Sequence, residues 1–151
     1  MQIKKLEWLP SFNIGTEEID RDHRQIFDIV VKIQEAIERD DLDTCSKLVE
    51  NFVKTTKLHF EREIEFLARV GYEDVETHRK YHERLLSQAV KLEKNCYEEI
   101  HRGKIVDCYS DIVGLLIDDI VRGDLEFKSF LQEYQSSSSP KQDSGRQRPE
   151  T

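Results

Sequence analysis

The chain has only three prolines among its 151 residues, and nowhere does it hold an apolar run of about 18 residues that would span a membrane as a helix. So few helix breakers, with 36% charged against 37% hydrophobic residues, read as a helix-rich, water-soluble protein, and the length suits one domain with its own core. Basic charge is also short: 23 Lys and Arg face 31 Asp and Glu, and a net charge of -8 excludes a nucleic-acid surface. The N-terminal residues carry Lys4 and Lys5 with no continuous apolar segment after them, unlike a secretory signal. A cytoplasmic protein with neither nucleic acid nor membrane as partner is the expectation. Cysteine is scarce as well. Cys45, Cys96 and Cys108 are odd in number, widely spaced and without a C-x-x-C pair, which predicts reduced core thiols rather than a disulfide framework or a zinc knuckle.

What the chain does have is a repeating seam interrupted by ionisable groups. Ile19, His23, Ile26, Val30, Ile33 and Ile37 alternate spacings of four and three, the pattern of a helix packed in a bundle. Thr16 stands where a helix cap belongs, with Glu17 and Glu18 in the favourable first turn. After the acidic turn around Asp40, Asp41 and Asp43, the pattern returns as Cys45, Leu48, Phe52, Thr56, His59, Glu63, Phe66 and Val70. Gly71 ends that helix, and a third follows with seam residues Val75, His78, His82, Leu85, Ala89, Leu92 and Cys96. Gly103 marks the next turn. A fourth helix carries Ile105, Cys108, Ile112, Leu115 and Asp119, is interrupted at Gly123-Asp124, and resumes briefly from Leu125 to Tyr134.

The predicted fold is therefore all-α: an antiparallel up-down-up-down four-helix bundle over residues 1–134. An extended N-terminal arm holding Trp8, Pro10 and Phe12 precedes it, and a Ser- and Pro-rich tail over 135–151 is expected to be disordered. In that topology His23, His59, Glu63, His78, His82, Asp119 and Asp124 gather at one end. His59 with Glu63, and His78 with His82, are four apart, so each pair projects from one helix face and can grip a common ion. A lone histidine in a seam is usually a hydrogen-bonded core residue. Seven buried ionisable groups without a cation would cost several kcal/mol per charge, more than a domain stable by about 5–15 kcal/mol can carry. Their convergence predicts a metal centre.

The ordered set Trp8-x3-Phe12-x-Ile14-Gly15-x4-Asp20-x2-His23, His59-Phe60-x2-Glu63, Gly71-Tyr72-x5-His78-x3-His82 and Asp124 resembles the hemerythrins, in particular the bacterial hemerythrin-like proteins. The likeness covers about residues 6–134. It implies a non-haem centre of two iron ions joined by an oxo or hydroxo bridge. His23 and His59 would serve one iron, His78 and His82 the other, with Glu63 and Asp124 bridging both. The implied function is binding or sensing of dioxygen, or of a related ligand such as nitric oxide, at the iron of His23 and His59.

One position departs from the family pattern. Where the family's fourth helix has Trp-Leu-x2-His-Ile-x3-Asp, this chain reads Leu115-Leu116-x2-Asp119-Ile120-x3-Asp124, so that Asp119 stands in place of the fifth histidine. An anionic oxygen ligand favours ferric over ferrous iron, which puts reversible carriage in doubt and supports an alternative, a redox enzyme that reduces dioxygen or peroxide. Either Asp119 binds directly or a water completes the shell. His101, near the Gly103 turn, is too far away to substitute. Asp20 is either an acceptor that orients an imidazole or an exposed first-turn acid, and Tyr72, Tyr81 and Tyr109 read as amphipathic packing residues.

Overall fold

The computed structural model of the protein describes residues 6–101, 105–117 and 123–138. Among the described residues, five α-helices follow a 3-10 turn at Pro10–Phe12: α1 Glu17–Glu38, α2 Leu42–Arg69, α3 Val75–His101, α4 Ile105–Ile117 and α5 Leu125–Ser138. Helix α1 packs on α2, α2 on α3, α3 on α4, and α4 returns to α1, closing a four-helix bundle. The expected α1 seam is its buried face, with Ile19, His23, Ile26, Val30, Ile33 and Ile37 all shielded from solvent. No helix among the described residues is long and apolar enough to cross a membrane.

The turns are set locally. At the end of α1 the Asp41 N–H reaches back to the Ala36 carbonyl and Asp40 N–H to Ile37, with Asp40 itself left-handed at φ 54°. The same double closure ends α2, where Tyr72 N–H donates to Leu67 and Gly71 N–H to Ala68, and here glycine takes the left-handed place at φ 79°. Asp41 then caps α2 by accepting from the Thr44 N–H at 3.2 Å. These closures keep the interhelix connections short, and that fixes which helix ends lie together.

The N-terminal arm is pinned at several points. Trp8 packs edge-on against Phe12 and Phe27, with centroids 5.4 and 5.5 Å away, under the Arg24 guanidinium. Asp20 does neither of the two jobs considered for it, because its carboxylate accepts from the backbone N–H of Ile14 at 2.6 Å and of Gly15 at 3.1 Å. It thereby locks the arm onto the start of α1.

Helix α5 reaches Ser138, four residues beyond the expected Tyr134 and into the stretch assigned to the tail. Phe127 and Leu131 on α5 pack with Ile14, Ile19 and Leu67, a second apolar cluster that covers the end of the bundle where the histidines gather. The expectation of reduced core thiols holds for Cys45 and fails for the other two cysteines. Cys96 on α3 and Cys108 on α4 form a disulfide, and only Cys45 remains a free, buried thiol. The two bonded residues are buried seam positions on adjacent antiparallel helices, so the core contact that hides each of them also brings their sulfurs together.

Candidate metal centre

Six of the seven expected site residues meet in one buried cluster. The seventh, Asp119, lies outside the described residues. His23 comes from the first turns of α1, His59 and Glu63 from the last third of α2, and His78 and His82 from the first turns of α3. Asp124 comes from the connection between α4 and α5. His23, His59, Glu63 and Asp124 have no solvent exposure, and His78 and His82 are buried to within a few per cent. Helical spacing explains the two pairs on α2 and α3, since residues four apart stack along one face. Gly123 explains Asp124: a Cβ there would overlap the Tyr81 ring, so only glycine lets the backbone come close enough to α3 to deliver the carboxylate.

The geometry divides the cluster into two halves that share their carboxylates. Glu63 Oε2 lies 3.2 Å from His59 Nε2 and 3.7 Å from His23 Nε2. Its other oxygen, Oε1, lies 2.7 Å from His78 Nε2 and 2.8 Å from His82 Nε2. Asp124 repeats the division, with Oδ2 2.5 Å from His23 Nε2 and Oδ1 3.2 Å from His78 Nε2. Two groups capable of holding a metal ion result, His23, His59, Glu63 and Asp124 in one and Glu63, His78, His82 and Asp124 in the other, the ligand atoms of each within 4.8 Å of one another. Each carboxylate offers one oxygen to each group.

Hydrogen bonding, such as the 2.7 Å contact of His78 Nε2 with Glu63 Oε1, accounts for only part of this arrangement. Among the described residues, Glu63 Oε2 and both Asp124 oxygens are buried without a hydrogen-bond partner, although imidazole nitrogens stand within 3.2 Å of each. The nitrogens and oxygens aim at common points between them, as ligands to a cation do. Electrostatics agrees. Burial pulls the imidazoles of His23 and His78 down, but the Asp124 and Glu63 carboxylates more than reverse this and lift both to about 10. Burial raises Glu63, and the surrounding histidines, His59 first, bring it well below the usual carboxylate range. The carboxylates demand positive charge from whatever faces them, whether proton or metal ion. A donor set of imidazole and carboxylate suits iron, zinc or manganese better than a soft, thiolate-seeking ion.

Aromatic rings hold the imidazoles in place. Phe60 stacks on His82 with centroids 4.0 Å apart, and Phe127 meets His78 edge-on at 5.1 Å. Between α2 and α3 a groove of about 530 Å³, lined by Phe60, Ile64, Leu86 and the charged Lys57 and Arg79, reaches His82 from the surface. The tyrosines take packing roles. Tyr72 lies against Phe127 and Phe130, Tyr81 covers Gly123, and the Tyr109 hydroxyl donates to Gln34 Oε1 at 3.4 Å. His101 closes α3, roughly 28 Å along the helix from His82 at 1.5 Å per residue.

Sequence reasoning missed Asp22. This residue, off the α1 seam and 8% exposed, places Oδ2 3.1 Å from His59 Nδ1 and is gripped by Arg62. Burial raises its carboxyl, and His59 with Arg62 bring it down to about 2. The available signal was a carboxylate next to His23 in sequence, but its target lies on another helix.

A family model described as the hemerythrin HHE cation binding domain matches residues 14–122. The chain is 27% identical over 85 residues to a protein named bacteriohemerythrin from Clostridium acetobutylicum, covering 54% of this chain and 66% of that one. It is 29% identical over 76 residues to a protein named myohemerythrin from Theromyzon tessulatum, covering 50% of this chain and 58% of the relative. The matched region thus spans just under two thirds of the first relative and less of the second.

Proposed function

Because the chain belongs to the hemerythrin family, we propose that it is a non-haem di-iron protein that binds or senses dioxygen, or a related diatomic such as nitric oxide. The observation that carries this reading is the division of Glu63 and Asp124, each with one oxygen toward His23 and His59 and the other toward His78 and His82 or, for Asp124, toward His78. Two cations side by side need such shared carboxylates. His23 and His59 would hold one iron, and His78, His82 and, in our assignment, Asp119 the other. When bound, the iron pair supplies electrons to dioxygen. The chain itself supplies the rest: apolar walls from α5 cover the site, and Phe60 and Phe127 fix ring orientation.

The test is to load the metal-free protein with ferrous iron under anaerobic conditions and mix it with oxygenated buffer while recording the visible spectrum. Oxygen-dependent absorbance that reverses under vacuum supports binding or sensing. A spectrum indifferent to oxygen refutes the proposal. A second reading, reduction of dioxygen or peroxide, is favoured by Asp119 in place of the family's histidine, because the added negative charge stabilises ferric iron. Irreversible oxidation with multiple turnovers in the presence of a reductant would select it.

A further inference from the structure

Behind the His59 ring a short chain of charged groups leads out to the surface. Asp22 can only accept, so its contact with Nδ1 at 3.1 Å puts the hydrogen on that nitrogen. Nε2 is thereby the nitrogen that would present a lone pair to an ion held between it, Glu63 and His23, whose nearest atoms lie 3.2 and 3.1 Å away. Arg62 in turn holds both Asp22 oxygens, its Nε donating to Oδ2 at 3.0 Å and its terminal nitrogen to Oδ1 at 2.8 Å. The guanidinium is 43% exposed, whereas the carboxylate it holds is almost wholly covered. On the other half of the cluster, His78 Nδ1 has no hydrogen-bond partner among the described residues.

We propose that Asp22 is a positioning residue for the metal centre: it fixes the orientation and tautomer of His59 and strengthens its donation to the ion beside it, while Arg62 moderates that effect by neutralising the carboxylate. The proposal rests on the di-iron reading above. A carboxylate behind an imidazole makes the ring a better donor, and that favours the more highly charged metal ion. Arg62 draws density the other way. The side of His59 thus carries an adjustable contact.

The experiment titrates purified full-length protein anaerobically with ferrous iron against a competing chelator and then measures the midpoint potential. Asp22→Asn keeps the shape and removes the charge. One of the two ions is expected to bind about 10–100-fold more weakly, with a raised potential, and Asp22→Glu to recover most of the loss. Arg62→Gln is expected to retain both ions and lower the potential. These opposite shifts are what a merely structural role would not produce. Should Asp22→Asn fail to fold by circular dichroism, Arg62→Gln decides alone: a lowered potential supports the proposal, and an unchanged or raised one overturns it. If wild type binds two ions and Asp22→Asn matches it in affinity and potential, this proposal falls while the di-iron reading stands. Loss of both ions together would also overturn it. Wild type that binds no iron would bring down the reading of the whole centre.

Discussion

Exchanging Glu63 for glutamine preserves shape and removes a negative charge that lies within 3.7 Å of all four imidazoles. Its cost in the metal-free protein can be worked from His78. Burial lowers that imidazole, and contacts with Asp124 and Glu63 raise it to about 10. A raised histidine stabilises the fold fully below its unfolded value near 6.5, and the contribution disappears as pH climbs through about 10. At pH 7 roughly three pKa units separate solution from site, so the bound proton contributes roughly 4 kcal/mol at about 1.4 kcal/mol per unit. Asp124 shares that effect, so only part of it belongs to Glu63. With its contacts to His59 and His82 also lost, Glu63→Gln is expected to cost about 3 kcal/mol, the order for breaking a buried ion pair. Urea denaturation of metal-free wild type and variant, at about pH 7 and again above the raised histidine values, measures it. The gap should shrink at the higher pH, where the imidazoles have lost their protons. A difference below about 0.5 kcal/mol at neutral pH, or one that widens with alkali, would refute the reasoning.

Other perturbations separate the parts of the molecule. His59→Ala should abolish loading of at least one metal ion, whereas His101→Ala, at the far end of α3, should leave iron content at the wild-type level by elemental analysis. Cys96→Ser opens a disulfide that closes a loop of sequence separation 12, and chain entropy puts the loss at about 3 kcal/mol, readable as a lower denaturation midpoint that reductant no longer shifts. Asp119→His restores the family's imidazole and should prolong the oxygenated form of the reduced protein in stopped-flow absorbance. An unchanged lifetime with both irons retained would show that position 119 does not govern the chemistry.

The bundle was legible because its seams are nearly uninterrupted: the four-three spacing from Ile19 to Ile37 admits one buried face, and that face is the one observed. The cluster was legible for the same reason. His59, Glu63, His78 and His82 are polar residues at seam positions, where an unpaired charge would be costly, and topology alone brings them to one end. Cross-helix partners were harder to read. Asp22 sits one residue from the α1 seam, and its contacts with His59 and Arg62 depend on how far α1 and α2 rotate against each other, which periodicity leaves free. The disulfide was misjudged because an odd cysteine count argued against pairing. Cys96 and Cys108 nevertheless lie near the facing ends of α3 and α4, and consecutive antiparallel helices set such positions side by side. Asp20 was misplaced because the arm that turns back onto it, through Ile14 and Gly15, has no periodic pattern to announce its path.

Whether Glu63 and Asp124 bridge two metal ions is read from electron paramagnetic resonance of the iron-loaded, air-oxidised protein, taken together with its iron content. Two ferric ions joined through shared ligands couple their spins, so the account predicts two irons per chain and almost no signal from isolated high-spin ferric iron. One iron per chain with a strong isolated ferric signal, or two uncoupled ions, would contradict it.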